Sequence, residues 1–300
     1  MARQGLQRGS NQGYLQGVKT GLGMANHRTG FAGGITDGTA NMDKLQDPAT
    51  LTGLKKPKLF CNADNITTTA STITMTDVVG SGYALTQNLG AGFTPDVVAK
   101  DIGNLRNALD FNEADVSLFP TPQYDFAGES EYSVMMVVKI KPIASVIFKV
   151  QDDLNPGTLL LQTIDTAQTI QSTLTGGQPG NTNTSVYRSR SAGTSTSELQ
   201  NYMILTFKAR LAQPGGAGSE QELHINGTLK KTLFSSNFNV IATTMTSAQT
   251  FIVGNTRTDF NALEGNGMYL GAFLLFDYWL NESEQLRLEN YFRDYYGYKF

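Results

Sequence analysis

The sequence has little cysteine, histidine and charge, and each shortage excludes a class of protein. The single cysteine, Cys61, leaves no intrachain disulfide framework and no zinc cluster built on cysteines. Two histidines, His27 and His224, provide little material for a histidine-rich metal site or a catalytic triad. Charged residues make up 16% of the chain, against about 25% in an average soluble domain. We therefore expect no metal and no cofactor.

Long apolar runs and an excess of positive charge are also missing. The longest candidate for a membrane span, Met268 to Leu280, is interrupted by Asp277 and is shorter than the roughly 18 residues that a span needs. The first residues lack the apolar segment of a secretory signal. A net charge of -3 excludes a globally basic nucleic-acid binder. We expect no membrane and no sequence-specific nucleic acid as partners, and a protein that works in solution or in an assembly formed inside a reducing cell.

Residues 1–56 differ in composition from the rest of the chain. Residues 1–40 contain ten glycines, four Lys or Arg and one acid, so their formal charge of +3 leaves -6 for the other 260 residues. Glycine recurs at every fourth position from Gly5 to Gly21, and each one weakens a helix by about 1 kcal/mol relative to alanine. The composition predicts an extended, Gly-rich, basic N-terminal arm over 1–56, followed by one domain over 57–300.

The arm also carries side chains that could be buried, which a pure linker has no reason to carry. They favour a tether that orders on a partner protein, where binding offsets the lost chain entropy. The candidate partner-binding residues are Arg3, Arg8, Tyr14, Leu15, Lys19, Arg28 and Phe31. The alternative is a terminus without a role, because chain termini are commonly disordered.

From Lys58 onward, short β-branched and apolar runs between turn residues predict a succession of strands. The predicted strands are Tyr132 to Ile140, Ala144 to Val150, Thr158 to Ile164, Asn201 to Ala209, Thr228 to Phe234, Phe251 to Val253 and Met268 to Tyr278. Leu223 and Ile225 alternate with polar neighbours, and Asn226-Gly227 then supplies the positive-φ pair of a tight hairpin turn. Residues 172–198 are predicted as long loops around a short strand at 186–187.

One helix is predicted, at the C-terminus. Asn281 and Glu284 have the spacing of a capping box, and Gly297 stands where a left-handed residue ends a helix. Its apolar stripe consists of Leu286, Leu288, Tyr291, Phe292 and Tyr295. Many strands and one terminal helix predict an all-β fold, a two-sheet antiparallel jelly-roll β-sandwich with a helix packed on a sheet.

An ordered set of segments resembles a known family. The segments are Leu-His-Ile-Asn-Gly at 223–227, Phe-Ile-Val-Gly at 251–254, Gly-Ala-Phe-Leu-Leu-Phe at 271–276, the closing helix and Tyr-Gly at 280–297, and the upstream runs at 105–111 and 134–138. Together they are similar to concanavalin-A-like (laminin-G-like) jelly-roll domains, of the kind found in tailed-phage virion proteins. The resemblance covers residues 58–300. It implies the fold, and leaves glucanases, lectins and virion proteins as functional classes.

Catalytic patterns are incomplete. The related β-glucanases place acids on one strand face as Glu-x-Asp-x-x-Glu, but here Glu113-Ala-Asp115 is followed by Leu118 at the third position. Glu129 and Glu131 also alternate, and we interpret them as solvated acids near a turn. No Gly-x-Ser-x-Gly elbow is present, and His224 is predicted to point to solvent. We therefore predict no catalytic residues and no enzyme, with a glucanase-type hydrolase as a distant alternative.

Polar loops with an aromatic residue are the pattern of a sugar-binding site. One predicted loop carries Asn181, Asn183 and Tyr187, and another carries Asp259, Phe260 and Asn261. Any β-sandwich loop has a similar composition. Trp279 is predicted to lie in the core rather than to stack on a sugar.

These observations predict a non-enzymatic structural protein of a tailed-phage virion, assembled in the host cytoplasm. It would be a capsid decoration or knob protein, or a tail or fibre adaptor, anchored by residues 1–56 to a major capsid or tail protein. We expect a homo-oligomer or a lattice assembly. The alternative function is a lectin-like recognition module for a surface glycan.

Overall fold

The computed structural model shows two antiparallel sheets and one α-helix. The described residues are 55–69, 72–88, 96–111, 117–126, 129–140, 146–151, 159–163, 169–175, 182–188, 201–210, 219–235, 250–255 and 268–297. The predicted arm therefore lies outside them, apart from Lys55 and Lys56, and its boundary with the domain stays a prediction. No helix among the described residues is long and apolar enough to cross a membrane.

The larger sheet has eleven strands in the order β14-β13-β12-β7-β16-β1-β2-β3-β6, with β5 beside β16 and β4 beside β5. Its strands are β1 (Leu59–Thr68), β2 (Thr72–Asp77), β3 (Ala84–Asn88), β4 (Asp96–Ile102), β5 (Arg106–Phe111), β6 (Phe119–Thr121), β7 (Glu131–Ile140), β12 (Met203–Arg210), β13 (Ser219–Ile225), β14 (Thr228–Ser235) and β16 (Met268–Phe276). Strand β16 is central, since it pairs with β7 on one side and with β5 and then β1 on the other.

The smaller sheet has five strands in the order β11-β10-β9-β8-β15. Its strands are β8 (Val146–Gln151), β9 (Leu159–Thr163), β10 (Thr169–Thr175), β11 (Thr182–Arg188) and β15 (Thr250–Asn255). The two sheets face each other across one apolar core. At its centre, the ring of Phe273 on β16 stacks on that of Phe251 on β15, with centroids 5.4 Å apart. The predicted β-sandwich is confirmed.

The single α-helix among the described residues, α1 (Glu282–Tyr296), covers the opposite face of the larger sheet, and a short 3-10 helix (Gly103–Leu105) joins β4 to β5. Phe60 on β1 makes edge-to-face contacts with Tyr291 and Phe292 of this helix, both with ring centroids 6.2 Å apart. The central strands are thus buried on both faces. This explains why β7 is a nearly continuous apolar run rather than an alternating one, because neither face meets water.

The predicted ends of the helix are confirmed. The side chain of Asn281 accepts from the backbone N–H of Glu284, whose own side chain accepts from the backbone N–H of Asn281, and Gly297 adopts the left-handed conformation with φ 77°. The prediction for Leu286 was wrong, because this side chain is exposed. It precedes Leu288 by two residues, which is roughly 200° around the helix axis.

Removal of the helix cap is expected to lower stability. In Asn281→Ala the N–H of Glu284 loses its acceptor, and we expect the free energy of unfolding to fall by about 1 kcal/mol. Urea denaturation followed by circular dichroism measures the change. Asn290→Ala, the same change at an exposed position inside the helix, is the control and should leave stability unchanged or slightly higher, because alanine favours helix. Equal losses in both variants would contradict the capping role.

The hairpin between β13 and β14 has the predicted turn, with φ 51° at Asn226 and φ 82° at Gly227. The predicted loops over 172–198 were wrong in part. Residues 169–175 and 182–188 instead pair as the β10–β11 hairpin. Threonine is frequent in both segments and favours extended backbone, and pairing satisfies the N–H and C=O groups of the two strands.

Two further predictions fail at the outer face of the larger sheet, where α1 covers His224 and Trp279 packs on the surface instead of in the core. His224 on β13, predicted to point to solvent, is only 7% exposed. Trp279, predicted to be a core residue, lies beyond the end of β16 and is half-buried. The guanidinium carbon of Arg210 lies 4.6 Å from the centre of its ring, and the Lys208 ammonium lies 5.6 Å from it. Trp279 is therefore a platform for cations at the sheet surface.

Candidate functional site

A cleft of about 490 Å³ lies where the chain enters β1, next to the β2–β3 turn and the end of β16. We call it the lysine–tyrosine cleft. Its lining residues come from four separate parts of the sequence and are Lys55, Lys56, Pro57, Lys58, Ser81, Tyr83, Tyr124, Asp125, Glu129 and Asp277. Its volume lies within the range of about 300–1,000 Å³ that is typical of small-molecule sites.

Asp277 holds two of the lysines in place. One of its carboxylate oxygens lies 3.0 Å from Nζ of Lys55, and the other lies 2.9 Å from Nζ of Lys58. Partial burial opposes ionisation of Asp277, but hydrogen bonds from Lys58 and Lys55 outweigh it and hold its pKa below the ordinary value. The Lys55 ammonium also lies 4.5 Å from the centre of the Tyr278 ring. Asp277 is therefore ionised at neutral pH and fixes positive charge at the cleft.

Glu129 is the second carboxylate of the cleft and has the opposite shift. It follows a turn in which its N–H donates to the carbonyl of Phe126 at 3.0 Å. Burial and the nearby charge of Asp277 raise its pKa, and Lys58 and Lys55 oppose this increase. Glu131, two residues later, lies outside the cleft and pairs with Arg210 at 3.1 Å. The two acids that alternate in the sequence thus have different environments.

Two tyrosines form the apolar wall of the cleft. Their rings, Tyr83 and Tyr124, lie with centroids 5.3 Å apart. Tyr124 is buried against Phe126, at 4.7 Å, whereas Tyr83 is partly exposed. Tyr124 is thus the fixed support, and Tyr83 is the ring that a ligand can reach.

The β2–β3 turn that carries Ser81 and Tyr83 is held to the sheet by one side chain. Asp77 accepts hydrogen bonds from the backbone N–H groups of Phe60, at 2.9 Å, of Val79 and of Ser81. The N–H of Tyr83 in turn donates to Oγ of Ser81 at 3.3 Å. The cleft wall is therefore preorganised rather than formed by a free loop.

The cleft combines hydrogen-bond donors, acceptors and an aromatic face. Lysine ammonium groups only donate and carboxylates only accept, while the hydroxyl of Ser81 does both. A ligand rich in hydroxyl groups can satisfy all three kinds of group and place its C–H surface on Tyr83. Among the described residues, no group of three or more His, Cys, Asp and Glu is arranged to hold a metal ion.

Most of the residues predicted from the sequence lie elsewhere or outside the described residues. Outside them are Arg3, Arg8, Tyr14, Leu15, Lys19, Arg28, Phe31, Glu113, Asp115, Asn181, Asp259, Phe260 and Asn261. Asn183 and Tyr187, predicted in a loop, lie within strand β11, in register with Leu174 and Ile170 of β10. The glycan-binding role of these loop residues stays a prediction.

The lysine–tyrosine cleft was not predicted from the sequence, although two sequence features point to parts of it. Three lysines stand within four residues around Pro57, and Asp277 interrupts an otherwise apolar run. Each signal is common in surface segments. Nothing in the sequence indicates that residues 222 positions apart, such as Lys55 and Asp277, form one ion pair.

Comparisons with known proteins show a likeness of fold. The binding domain of botulinum neurotoxin serotype G aligns with a TM-score of 0.52 and 16% identity, and that of serotype D with a TM-score of 0.52 and 13% identity. The binding domain of botulinum neurotoxin DC in complex with SialylT gives a TM-score of 0.51 and 12% identity. Each alignment covers 78% of this chain and about half of the toxin domain. No family model and no curated protein sequence matches the chain.

Proposed function

We propose that the protein is a carbohydrate-recognition module and that the glycan binds in the lysine–tyrosine cleft. The observation that carries the proposal is the cleft itself, in which a preorganised Tyr83 ring faces lysine donors and carboxylate acceptors within about 490 Å³. The fold comparisons support the class of function, since those domains are binding domains and one is in complex with SialylT. The chain spans about half of each such domain, so the glycan is a proposal for this chain.

The chemistry of the cleft favours a sugar over a simple anion or an apolar ligand. The three lysines of the lining, Lys55, Lys56 and Lys58, are matched in number by its three carboxyl groups, Asp125, Glu129 and Asp277. The cleft therefore has no large net charge for an anion. Its polar lining would leave hydrogen-bonding groups of the protein unpaired against an apolar ligand, which is costly. A sugar pairs its hydroxyls with these groups and stacks its apolar C–H face on an aromatic ring.

The test is a glycan array with the full chain, followed by titration of the best ligand. Tyr83→Ala removes the exposed aromatic wall, and we expect affinity to fall at least tenfold, which corresponds to about 1.4 kcal/mol. Tyr269→Ala is the matched control, because Tyr269 lies near the start of β16, eight residues before Asp277, or roughly 27 Å along the strand. Unchanged binding in Tyr83→Ala, or equal losses in both variants, would contradict the proposed site.

Glu129 and Asp277 also permit a test against a hydrolase. A carboxyl with a raised pKa beside an ionised carboxylate is the pattern of an acid and its partner in glycosidases. If the bound glycan were cleaved, and cleavage disappeared in Glu129→Gln but not in the matched variant Glu131→Gln, the protein would be an enzyme. For a binding module we expect no turnover and a weaker complex in Glu129→Gln alone.

A structural role in a virion is a second proposal, and it rests on the composition of residues 1–56. The +3 charge and the buriable side chains of this segment favour anchoring to a capsid or tail protein, with assembly as a homo-oligomer or on a lattice in the host cytoplasm. Limited proteolysis tests it. Residues 1–56 should be cut in the free protein and protected in the assembly. Cleavage in both states would contradict anchoring.

A further inference from the structure

A second pocket, of about 380 Å³, lies between helix α1 and the β13–β14 hairpin, away from the lysine–tyrosine cleft. We call it the helix–hairpin pocket. Its polar lining consists of Glu222 and His224 from β13 and Glu282, Gln285 and Glu289 from α1. Every one of these side chains can accept a hydrogen bond, and the lining contains no lysine or arginine.

Two of the residues that line the pocket each have a buried polar atom without a hydrogen-bond partner among the residues that the structure describes. These atoms are Nδ1 of His224 and Oε1 of Gln285, in side chains that are 7% and 4% exposed. A polar atom that is left unpaired in the interior is destabilising, because it has lost its hydrogen bonds to water without replacing them. Two such atoms in residues that line one cavity indicate a place for a ligand that donates hydrogen bonds.

The other contacts of these side chains fix both atoms as acceptors. Nε2 of His224 lies 2.8 Å from a carboxylate oxygen of Glu222, so the ring donates there and keeps a lone pair on Nδ1. Burial lowers the pKa of His224, and the nearby positive charge of Lys208 lowers it further. The hydrogen bond to Glu222 and the negative charge of Glu282 act in the opposite direction but do not cancel the decrease. The ring is therefore neutral at pH 7. Nε2 of Gln285 donates to Glu289 at 2.8 Å, which leaves its Oε1 as an acceptor without a partner among the described residues.

The charge around the pocket favours a cation. Lys208 pairs with Glu222 at 3.2 Å and Arg293 contacts Glu289 at 3.4 Å, both from outside the lining. Glu282 in the first turn of α1 is exposed and forms no ion pair with the residues that the structure describes. Among the described residues, Glu222 and Glu289 each have a cationic partner and Glu282 has none, so the lining has an excess of negative charge.

The rim of the pocket is apolar. Leu229 from the hairpin and Leu286 from α1 line it and are 49% and 54% exposed. They are two of the few large apolar side chains that are exposed among the described residues. A ligand that places a charged donor among the acceptors can therefore cover these leucines with a short hydrocarbon stem.

We propose that the helix–hairpin pocket binds a primary ammonium group on a short apolar stem. The ammonium donates its three hydrogens to Nδ1 of His224, to Oε1 of Gln285 and toward Glu282, while the stem packs against Leu229 and Leu286. A lysine side chain carries this group. The site is independent of the proposed glycan cleft, and either can fail alone.

The test is long-range ¹H–¹⁵N NMR of the histidine ring in the full chain, titrated with 1-aminobutane. The chain has two histidines, and a His27→Gln variant assigns the His224 signals. We expect the Nδ1 resonance to move toward the hydrogen-bonded position with 1-aminobutane and to stay in place with 1-butanol at equal concentration. Nα-acetyl-lysine amide against its Nε-acetylated form tests the lysine side chain, and we expect only the free ammonium to move the resonance.

A charge variant completes the test. Glu282→Gln changes an exposed residue, so folding is not at risk, and we expect the affinity for 1-aminobutane to fall about three- to tenfold. Glu131→Gln, the same change outside the pocket, should have no effect. The proposal is overturned if the Nδ1 resonance does not move at saturating amine, if 1-butanol moves it equally, or if Glu131→Gln weakens binding as much as Glu282→Gln.

Discussion

Phe273→Ala is expected to lower the free energy of unfolding by about 3–5 kcal/mol, the range for deleting a fully buried aromatic ring. Phe273 has no exposed surface and lies on the central strand β16. Its ring contacts Phe251 of the smaller sheet at 5.4 Å and Phe148 of the same sheet at 6.0 Å. The change therefore opens a cavity between the two sheets, where neighbouring strands cannot move in to fill it.

Urea denaturation measures this loss, and the chain offers a matched control. Phe119 lies on the short edge strand β6 and is 41% exposed, so Phe119→Ala should cost less than about 1 kcal/mol. The midpoint should shift strongly in Phe273→Ala with little change in the slope. Similar shifts in both variants would mean that the two sheets do not share one core at Phe273.

Gly254→Ala is the second change for which we expect a large effect. Gly254 on β15 has φ 68°, and a methyl group built on it would lie 2.7 Å from two ring carbons of Phe111 on β5. The left-handed backbone costs a non-glycine residue about 1–2 kcal/mol, and forcing extra volume into a packed core adds about 1–3 kcal/mol. The two sheets approach each other closely here because this position has no side chain.

Gly80→Ala separates the two contributions. Gly80 has nearly the same backbone, with φ 67°, but nothing lies within 4 Å of the added methyl group. We expect this variant to lose only the backbone contribution, so that Gly254→Ala is the less stable of the two by about 1–3 kcal/mol in thermal and urea unfolding. If the free energy of unfolding fell by the same amount in both variants, the close approach to Phe111 would contribute nothing to the loss in Gly254→Ala.

The position of the lysine–tyrosine cleft follows from the architecture. It lies where β1 begins and β16 ends, and these strands are neighbours in the sheet. Asp77, at the end of β2, ties the adjoining turn to Phe60 of β1. A cleft on such a frame keeps its shape without a ligand, which reduces the entropy that binding has to offset.

The elements that the sequence predicted correctly are those specified by neighbouring residues. The hairpin turn follows from Asn226-Gly227, because few other pairs tolerate two positive φ angles. The helix start follows from Asn281 and Glu284, which are three residues apart and bond to each other. The apolar run of β7 likewise predicts a strand, since β-branched side chains at this length favour extended backbone.

The tertiary structure alone decided what covers each face and which distant residues meet. His224 and Trp279 were misjudged because α1 covers the first and the second packs on the outer face of the larger sheet, and no local pattern states where a helix docks. Lys55 and Asp277 form one site because β1 and β16 pair, although 222 positions separate them. Turns and caps are fixed by bonds between near neighbours, whereas burial and binding sites depend on strand order, which only the folded chain sets.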